Sequence, residues 1–386
     1  MGKNRLSLII SLTVLTWVFG LFLFVVYENK HFYLSEFEPK KFEKEYLQSQ
    51  WVVSFSKYPI SDETLYAYSG YRYIQGINPI LLNPEVPPLG KYLIGTSIQL
   101  FQNQNAISLF AALVSLVAVF LIIFLASNSL MSASFGVLLM MVSTSFTEQL
   151  RHTPQLDIIQ LAFLLLFILF FILFKKKQRT YLLFVSGLFL GGFISVKFFL
   201  MYFGIINVVL VIYYIFEKKK NVRIQELALL NGTTLTVYIL SYFRYFMLGG
   251  NLRSFLGVQK WIVLFYSGSH IDIFKMLGNY LSLIFFNTWT FWQDGFTRYS
   301  YKYWNLLWPV IFILGIFSSL QLLRQKKLIY RNLILLLVSF LSVYNIFLFV
   351  TPVYPRYLLL LFVPSNIMTA LYFGKLIENK FMSFRT

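Results

Sequence analysis

The chain has 386 residues, of which 58% are hydrophobic, 20% aromatic and only 12% charged. Average soluble domains carry roughly 25% charged residues, so this composition excludes a disordered chain and argues against a soluble domain. The net charge is +18, from 33 Lys and Arg against 15 Asp and Glu; in so apolar a chain that surplus is tested first as a membrane-topology signal and only then as a nucleic-acid surface. No cysteine is present, which removes disulfides, thiolate metal sites and Cys nucleophiles.

The first apolar run, Leu6 to Val26, follows Lys3 and Arg5. It is long for a signal peptide and no small-residue cleavage site follows it. It predicts an uncleaved first span with its N-terminus inside. Further apolar runs fall at about 106–126, 131–146, 155–174, 181–197, 198–216, 225–247, 305–323, 332–350 and 357–374. Roughly 20 apolar residues cross a bilayer, so these runs predict an all-α polytopic membrane protein of about ten spans. An even number of spans returns the C-terminus to the inside.

The basic residues agree with that arrangement. Lys175, Lys176, Lys177 and Arg179 form one cluster, Lys218, Lys219, Lys220 and Arg223 a second, and Arg324, Lys326, Lys327 and Arg331 a third. With Lys3, Arg5, Lys375, Lys380 and Arg385 they all fall on the inner side, opposed there only by Glu217 and Glu378. The charge is thus chiefly a positive-inside signal. It predicts an integral plasma-membrane protein with both termini cytoplasmic. Nucleic-acid binding is the weakest reading, because no basic cluster falls on a soluble domain.

Two long segments are then outside, about 28–105 and 248–304, within a single transmembrane domain spanning 1–386. The first has seven basic residues and eight acids, so the outer face is nearly balanced. The second contains an apolar, aromatic piece, Met276 to Trp292. Counting it as a span would put Arg324 to Arg331 outside. It is expected as a re-entrant or interfacial helix, with Trp289, Trp292 and Trp304 at headgroup depth. There is no fixed-period repeat, no phosphate-binding glycine loop, no HExxH and no GxSxG. The three histidines, His31, His152 and His270, are scattered.

Chemistry concentrates between Ser61 and Gly95, SDETLYAYSGYRYIQGINPILLNPEVPPLGKYLIG. Ser61 is placed to cap a short aromatic helix, and Asp62 and Glu63 suit its first turn. A proline-rich turn, Asn83 to Pro88, leads to Lys91 and an apolar piece, Tyr92 to Phe101, too short to span. Elsewhere, Arg151 and Asp157 flank the start of a span and could pair with each other, Lys197 closes one, and Arg356 precedes the last. Each also has a structural reading: Arg356 and Lys91 as interfacial anchors, Glu85 as a turn cap, Lys197 as a side chain reaching the interface, and the tyrosines as an interfacial belt.

The stretch Asp62-Glu63 followed by Glu85-Val86-Pro87-Pro88-Leu89-Gly90-Lys91 resembles the first extracytoplasmic loop of the protein O-mannosyltransferase family, glycosyltransferase family 39 of the GT-C superfamily. Arg151-His152-Thr153-Pro154-Gln155-Leu156-Asp157, the glycine-rich Gly187 to Lys197 and Pro355-Arg356-Tyr357 are similar to later segments of that family. The sequence departs at Val86, where many bacterial relatives carry His, and near the second span, where Asn103, Asn105 and Ser108 stand in place of an Arg. The resemblance implies a GT-C glycosyltransferase that takes a sugar from a polyprenyl-phosphate donor and transfers it, with inversion, to a hydroxyl of protein, lipid or cell-wall glycan on the outer face.

In that frame Asp62 is the catalytic carboxylate and Glu63 supports it. Glu85, Lys91, Arg151, Asp157, Lys197 and Arg356 bind substrate, with Arg356 the first choice for the leaving phosphate because Arg binds phosphate bidentately. Outer-face carboxylates can hold a divalent ion, but the family looks metal-independent and none is expected. The rivals are a transporter or flippase for a lipid-linked substrate, which predicts mid-span charges or repeated halves, and a non-catalytic partner subunit keeping the fold.

Overall fold

A computed structural model describes residues 3–152, 155–217, 223–268, 272–291, 296–325 and 330–383. Of the residues singled out above, Thr153, Pro154, Lys218, Lys219, Lys220, His270, Trp292, Lys326, Lys327 and Arg385 lie outside this set. The described chain is almost wholly helical. Its one sheet is a hairpin of Trp289–Phe291 against Thr297–Tyr299, antiparallel with Trp289 opposite Tyr299.

Among the described residues, seven helices are long and apolar enough to cross a membrane: Arg5–Glu28, Ala106–Ser127, Leu156–Lys177, Phe199–Phe216, Leu307–Arg324, Arg331–Val350 and Pro355–Glu378. The chain is a multi-pass membrane protein. Pro355–Glu378 and Leu156–Lys177 are the most enclosed of the seven and Arg5–Glu28 the least. The bundle therefore has two central helices, and the first span lies at its edge.

The other three expected spans differ from a plain crossing, each for a physical reason. The 131–146 run is broken: Leu130–Val142 and Thr144–Leu150 meet at 66°. No proline or glycine marks the break. Ser143 turns to an extended conformation, its hydroxyl meets that of Ser145 at 2.9 Å, and Trp308 Nε1 donates to Thr144 Oγ1 at 2.8 Å. Irregular backbone at membrane depth is tolerated only inside protein or beside a cavity, and Ser143, Ser145, Phe146, Thr147 and Glu148 are all buried. The 181–197 run is a helix of 17 residues, Thr180–Val196, shorter than a full crossing. The 225–247 run gives Arg223–Ser241, which carries Glu226 and a row of Thr and Asn, followed by the short Phe243–Met247.

These last two helices pair closely. Gly187 and Gly191 lie against Thr233 and Val237, and Thr234 Oγ1 donates to Gly187 O at 3.3 Å. Small residues that let backbones approach are the usual device where lipid removes the hydrophobic drive. The polar stretch of Arg223–Ser241 is thus used for packing.

The Met276–Trp292 piece is not one helix. It forms Ile273–Met276, a turn at Gly278, then Asn279–Phe286 and the hairpin. Asn279 fastens the hairpin: its Nδ2 donates to Thr290 O at 3.0 Å and its Oδ1 accepts from Thr290 N at 2.9 Å.

The segment between the first two spans carries four helices, Lys30–Leu34, Pro39–Gln48, Asp62–Ile74 and Leu89–Phe101. Ser61 caps the third, its side chain accepting from Thr64 N at 3.2 Å, as its sequence position suggested. Asp62–Ile74 and Leu89–Phe101 touch backbone to backbone at Gly70 and Gly95: a Cβ on Gly70 would stand 2.9 Å from Gly95 N, and one on Gly95 would meet Gly70 O. Only glycine permits this contact, which sets Asp62 and the Lys91 turn at fixed heights relative to each other.

Candidate active site

Four helix ends converge. Asp62 opens Asp62–Ile74, Asp157 lies in the first turn of Leu156–Lys177, Lys197 follows Val196, and Arg356 sits in the 3-10 turn Pro355–Leu358 ahead of the last helix. The first turn of a helix favours a carboxylate through the aligned peptide dipoles, which accounts for the placing of both aspartates.

Arg356 Nη2 lies 2.5 Å from Asp62 Oδ2, and its Nε 3.7 Å from Asp157 Oδ2. Lys197 Nζ donates to Asp157 Oδ1 at 2.8 Å. Segments nearly three hundred residues apart thus form one chain of alternating charge, Asp62–Arg356–Asp157–Lys197. Exposure divides it: the side chains of Asp157 and Lys197 are 4% and 2% exposed, that of Arg356 13%, and that of Asp62 45%. Aromatic faces back both cations, Tyr354 at 4.8 Å from the Arg356 guanidinium and Tyr357 at 4.7 Å from Lys197 Nζ. The buried pair orders the cations, and Asp62 is the carboxylate open to an incoming molecule.

Arg151 does not pair with Asp157. Its side chain makes no ion pair among the described residues, while Asp157 is taken by Lys197 and Arg356. Glu63 Oε1 accepts from Gln155 Nε2 at 2.6 Å.

Lys91 is fully buried and donates to Asn83 O at 2.6 Å, Asn83 Oδ1 at 2.8 Å and Val86 O at 2.7 Å. Those three acceptors match the three donors of an ammonium group. The proline-rich turn is wrapped around the lysine. Asn83 Nδ2 in turn donates to Glu85 Oε1, so one side chain bridges Lys91 and Glu85. Burial pushes the Glu85 carboxyl up to about 7, opposed by the charge of Lys91. Tyr266 OH, from helix Leu252–Ser267, donates to Glu85 O at 3.4 Å. Burial also holds the Tyr66 hydroxyl well above its usual range; Asp62 raises it further and Arg356 opposes. Tyr66 therefore lies within the field of the Asp62–Arg356 pair and stays a neutral donor.

Sequence reasoning passed over Glu148, Gln155 and Tyr301. Glu148 is 1% exposed and accepts from Tyr301 OH. Its signal was an acid closing an apolar run, which membrane energetics marks as functional by default. Where the family pattern has an Arg, Asn103 Nδ2 donates to Phe32 O at 2.8 Å and to Ser35 O at 2.7 Å. That position ties helix Lys30–Leu34 to the start of the second span. No group of three His, Asp or Glu that could hold a metal ion occurs among the described residues.

A family model described as dolichyl-phosphate-mannose-protein mannosyltransferase matches residues 85–246. That is less than half of the chain; it includes Glu85, Lys91, Asp157 and Lys197 and leaves out Asp62 and Arg356. No curated protein matches in sequence. Two solved structures of ArnT from Cupriavidus metallidurans share the fold. The form bound to undecaprenyl phosphate is 14% identical, with a TM-score of 0.54 over 83% of this chain and 58% of that one. The apo form is 14% identical, with a TM-score of 0.58 over 81% of this chain and 55% of that one. This chain thus spans little more than half the length of the solved structures it matches. The chain therefore shares the GT-C-type fold of these ArnT structures and is similar to the mannosyltransferase family over the matched segment.

Proposed function

We propose that the protein transfers a sugar from a polyprenyl-phosphate carrier to a hydroxyl acceptor on the outer face of the membrane, with inversion at the anomeric carbon. The observation that carries this reading is the Asp62–Arg356–Asp157–Lys197 chain of charge at converging helix ends. The GT-C fold and the undecaprenyl phosphate bound in the ArnT structure support a lipid-phosphate donor.

Asp62 accepts the proton of the acceptor hydroxyl as its oxygen bonds to the anomeric carbon. The bond from that carbon to the phosphate oxygen breaks, and the electron pair leaves on polyprenyl phosphate. Arg356 is the cation nearest to Asp62, and a guanidinium stabilises a leaving phosphate through paired N–H donors. Asp157 fixes Arg356 and Lys197 so that they need not reorganise as charge develops. Glu63 aligns the first turn carrying Asp62, and Glu85 lines the sugar side of the same space. Lys91, with its donors filled by carbonyl oxygens, holds the turn that presents Glu85. Arg151, which is outside any ion pair among the described residues, is assigned to the approaching phosphate.

The basic clusters support an outer-face site with both termini cytoplasmic. A transporter or flippase is disfavoured because these ionisable groups gather at helix ends rather than mid-span. Candidate acceptors are protein Ser or Thr, a lipid, or a cell-wall glycan. The test is reconstitution in nanodiscs with a panel of labelled polyprenyl-phosphate sugars, following release of polyprenyl phosphate. The wild type consumes one donor and Asp62→Asn does not. Equal consumption by both forms overturns the reading.

A further inference from the structure

The break at Ser143 delivers a carboxyl into the protein interior at the outer end of the bundle, and that carboxyl is connected. Glu148 Oε2 accepts from Tyr301 OH, which comes from the second outer segment. Its other oxygen, Oε1, accepts from Gln149 Nε2 at 3.1 Å. The same Nε2 reaches Gln155 Oε1 at 3.5 Å, and Gln155 Nε2 donates to Glu63 Oε1 at 2.6 Å. The result is an unbroken row of polar side chains, Tyr301–Glu148–Gln149–Gln155–Glu63, running from the second outer segment to the first. Glu148 and Gln149 are each 1% exposed.

The row is anchored at Tyr301 and beside Glu148. Tyr301 N donates to Asn287 Oδ1 at 2.8 Å, and its ring packs on Trp308, with centroids 5.6 Å apart. The short helix carrying Glu148 is held from the other side by Tyr33 OH, which donates to Leu150 O at 2.7 Å. A buried carboxyl in a membrane bundle is costly and adds little stability that well-packed apolar residues would not supply. Its retention at a helix break, aimed along a row that ends beside Asp62, is explained by alignment.

We propose that Glu148, held by Tyr301, is a positioning residue for Glu63, acting through Gln149 and Gln155. Seating of the second outer segment and alignment of the first turn of Asp62–Ile74 are then one event. The step this serves rests on the sugar-transfer reading, but the coupling itself does not.

The test uses the full-length protein in nanodiscs with Glu148→Gln, Tyr301→Phe and Glu63→Gln, and it has two arms. In hydrogen–deuterium exchange, residues 61–66 of Glu148→Gln and Tyr301→Phe exchange about tenfold faster than in the wild type, the equivalent of one charge-assisted hydrogen bond. In turnover, each variant loses about tenfold in kcat with little change in KM, and Glu148→Gln combined with Glu63→Gln is no worse than Glu63→Gln alone. A purely structural Glu148 would lower the melting temperature, leave exchange at 61–66 unchanged and multiply with Glu63→Gln; either of the last two results overturns the proposal. A wild type that transfers no sugar would refute the sugar-transfer reading, while the exchange arm would still decide the coupling.

Discussion

Lys197→Met separates the structural from the chemical role of the buried charges. Lys197 Nζ lies 2.8 Å from Asp157 Oδ1, and Arg356 Nε lies 3.7 Å from Asp157 Oδ2. At an effective dielectric near 20, Coulomb attraction across those gaps is about 6 and about 4.5 kcal/mol before desolvation. Removing Lys197 therefore leaves a carboxylate that is 4% exposed with only its weaker partner. Breaking one side of such a pair costs about 3–5 kcal/mol net, whereas replacing both partners by neutral groups is near neutral or stabilising. Lys197→Met should lower the melting temperature by roughly 5–10 °C, and adding Asp157→Asn should restore most of it. Donor turnover should stay depressed about a hundredfold or more in both, because the ordered cations are what the leaving phosphate needs. Thermal denaturation followed by tryptophan fluorescence in nanodiscs, paired with turnover, reads both quantities. A stable Lys197→Met protein, or a double variant that regains turnover along with stability, would refute the reasoning.

Glu85 titrates in the folded protein near 7 rather than near 4.5 because it is buried. Its protonated form is favoured by folding, so that contribution is complete below about pH 4.5 and is lost as pH rises through about 7. The melting-temperature difference between wild type and Glu85→Gln should accordingly shift against the wild type from pH 5 to pH 8; a pH-independent difference contradicts the burial argument. Gly95→Ala puts a methyl group against Gly70 O; it should cost about 1–3 kcal/mol by overpacking and reduce turnover per folded molecule by tilting the Asp62 helix, whereas unchanged turnover would mean that this contact does not set the site. The absence of cysteine makes single-cysteine mapping clean. Ser54→Cys should react with a membrane-impermeant maleimide on intact cells and Lys176→Cys only after permeabilisation, and the opposite pattern would invert the topology.

The sequence was most legible where chemistry and local structure coincide. Ser61, Asp62 and Glu63 read as a helix start because a hydroxyl and two acids suit free backbone N–H groups. Asp157, Lys197 and Arg356 stood out as charges at the ends of apolar runs, and they do lie within reach of one another. What was hidden depends on distant partners. The break at Ser143 is stabilised by Trp308, more than 160 residues away, and carries no proline or glycine to announce it. Without that bend Glu148 reads as the tail of a span. Lys91 read as a free cation because its three acceptors are two backbone carbonyls and one amide oxygen, and backbone carbonyls leave no mark in composition. Thr180–Val196 and Arg223–Ser241 likewise pack on each other through glycine and threonine, a pairing that a hydropathy window cannot distinguish from a lipid-facing crossing.

The most direct measurement is turnover of labelled polyprenyl-phosphate sugar by the purified, reconstituted protein and its Asp62→Asn variant, with equal folding verified by melting temperature. The account predicts release of polyprenyl phosphate by the wild type and a fall of about a hundredfold or more in the variant. Release at the wild-type rate by Asp62→Asn, or no release by the wild type with any donor of the panel, would contradict it.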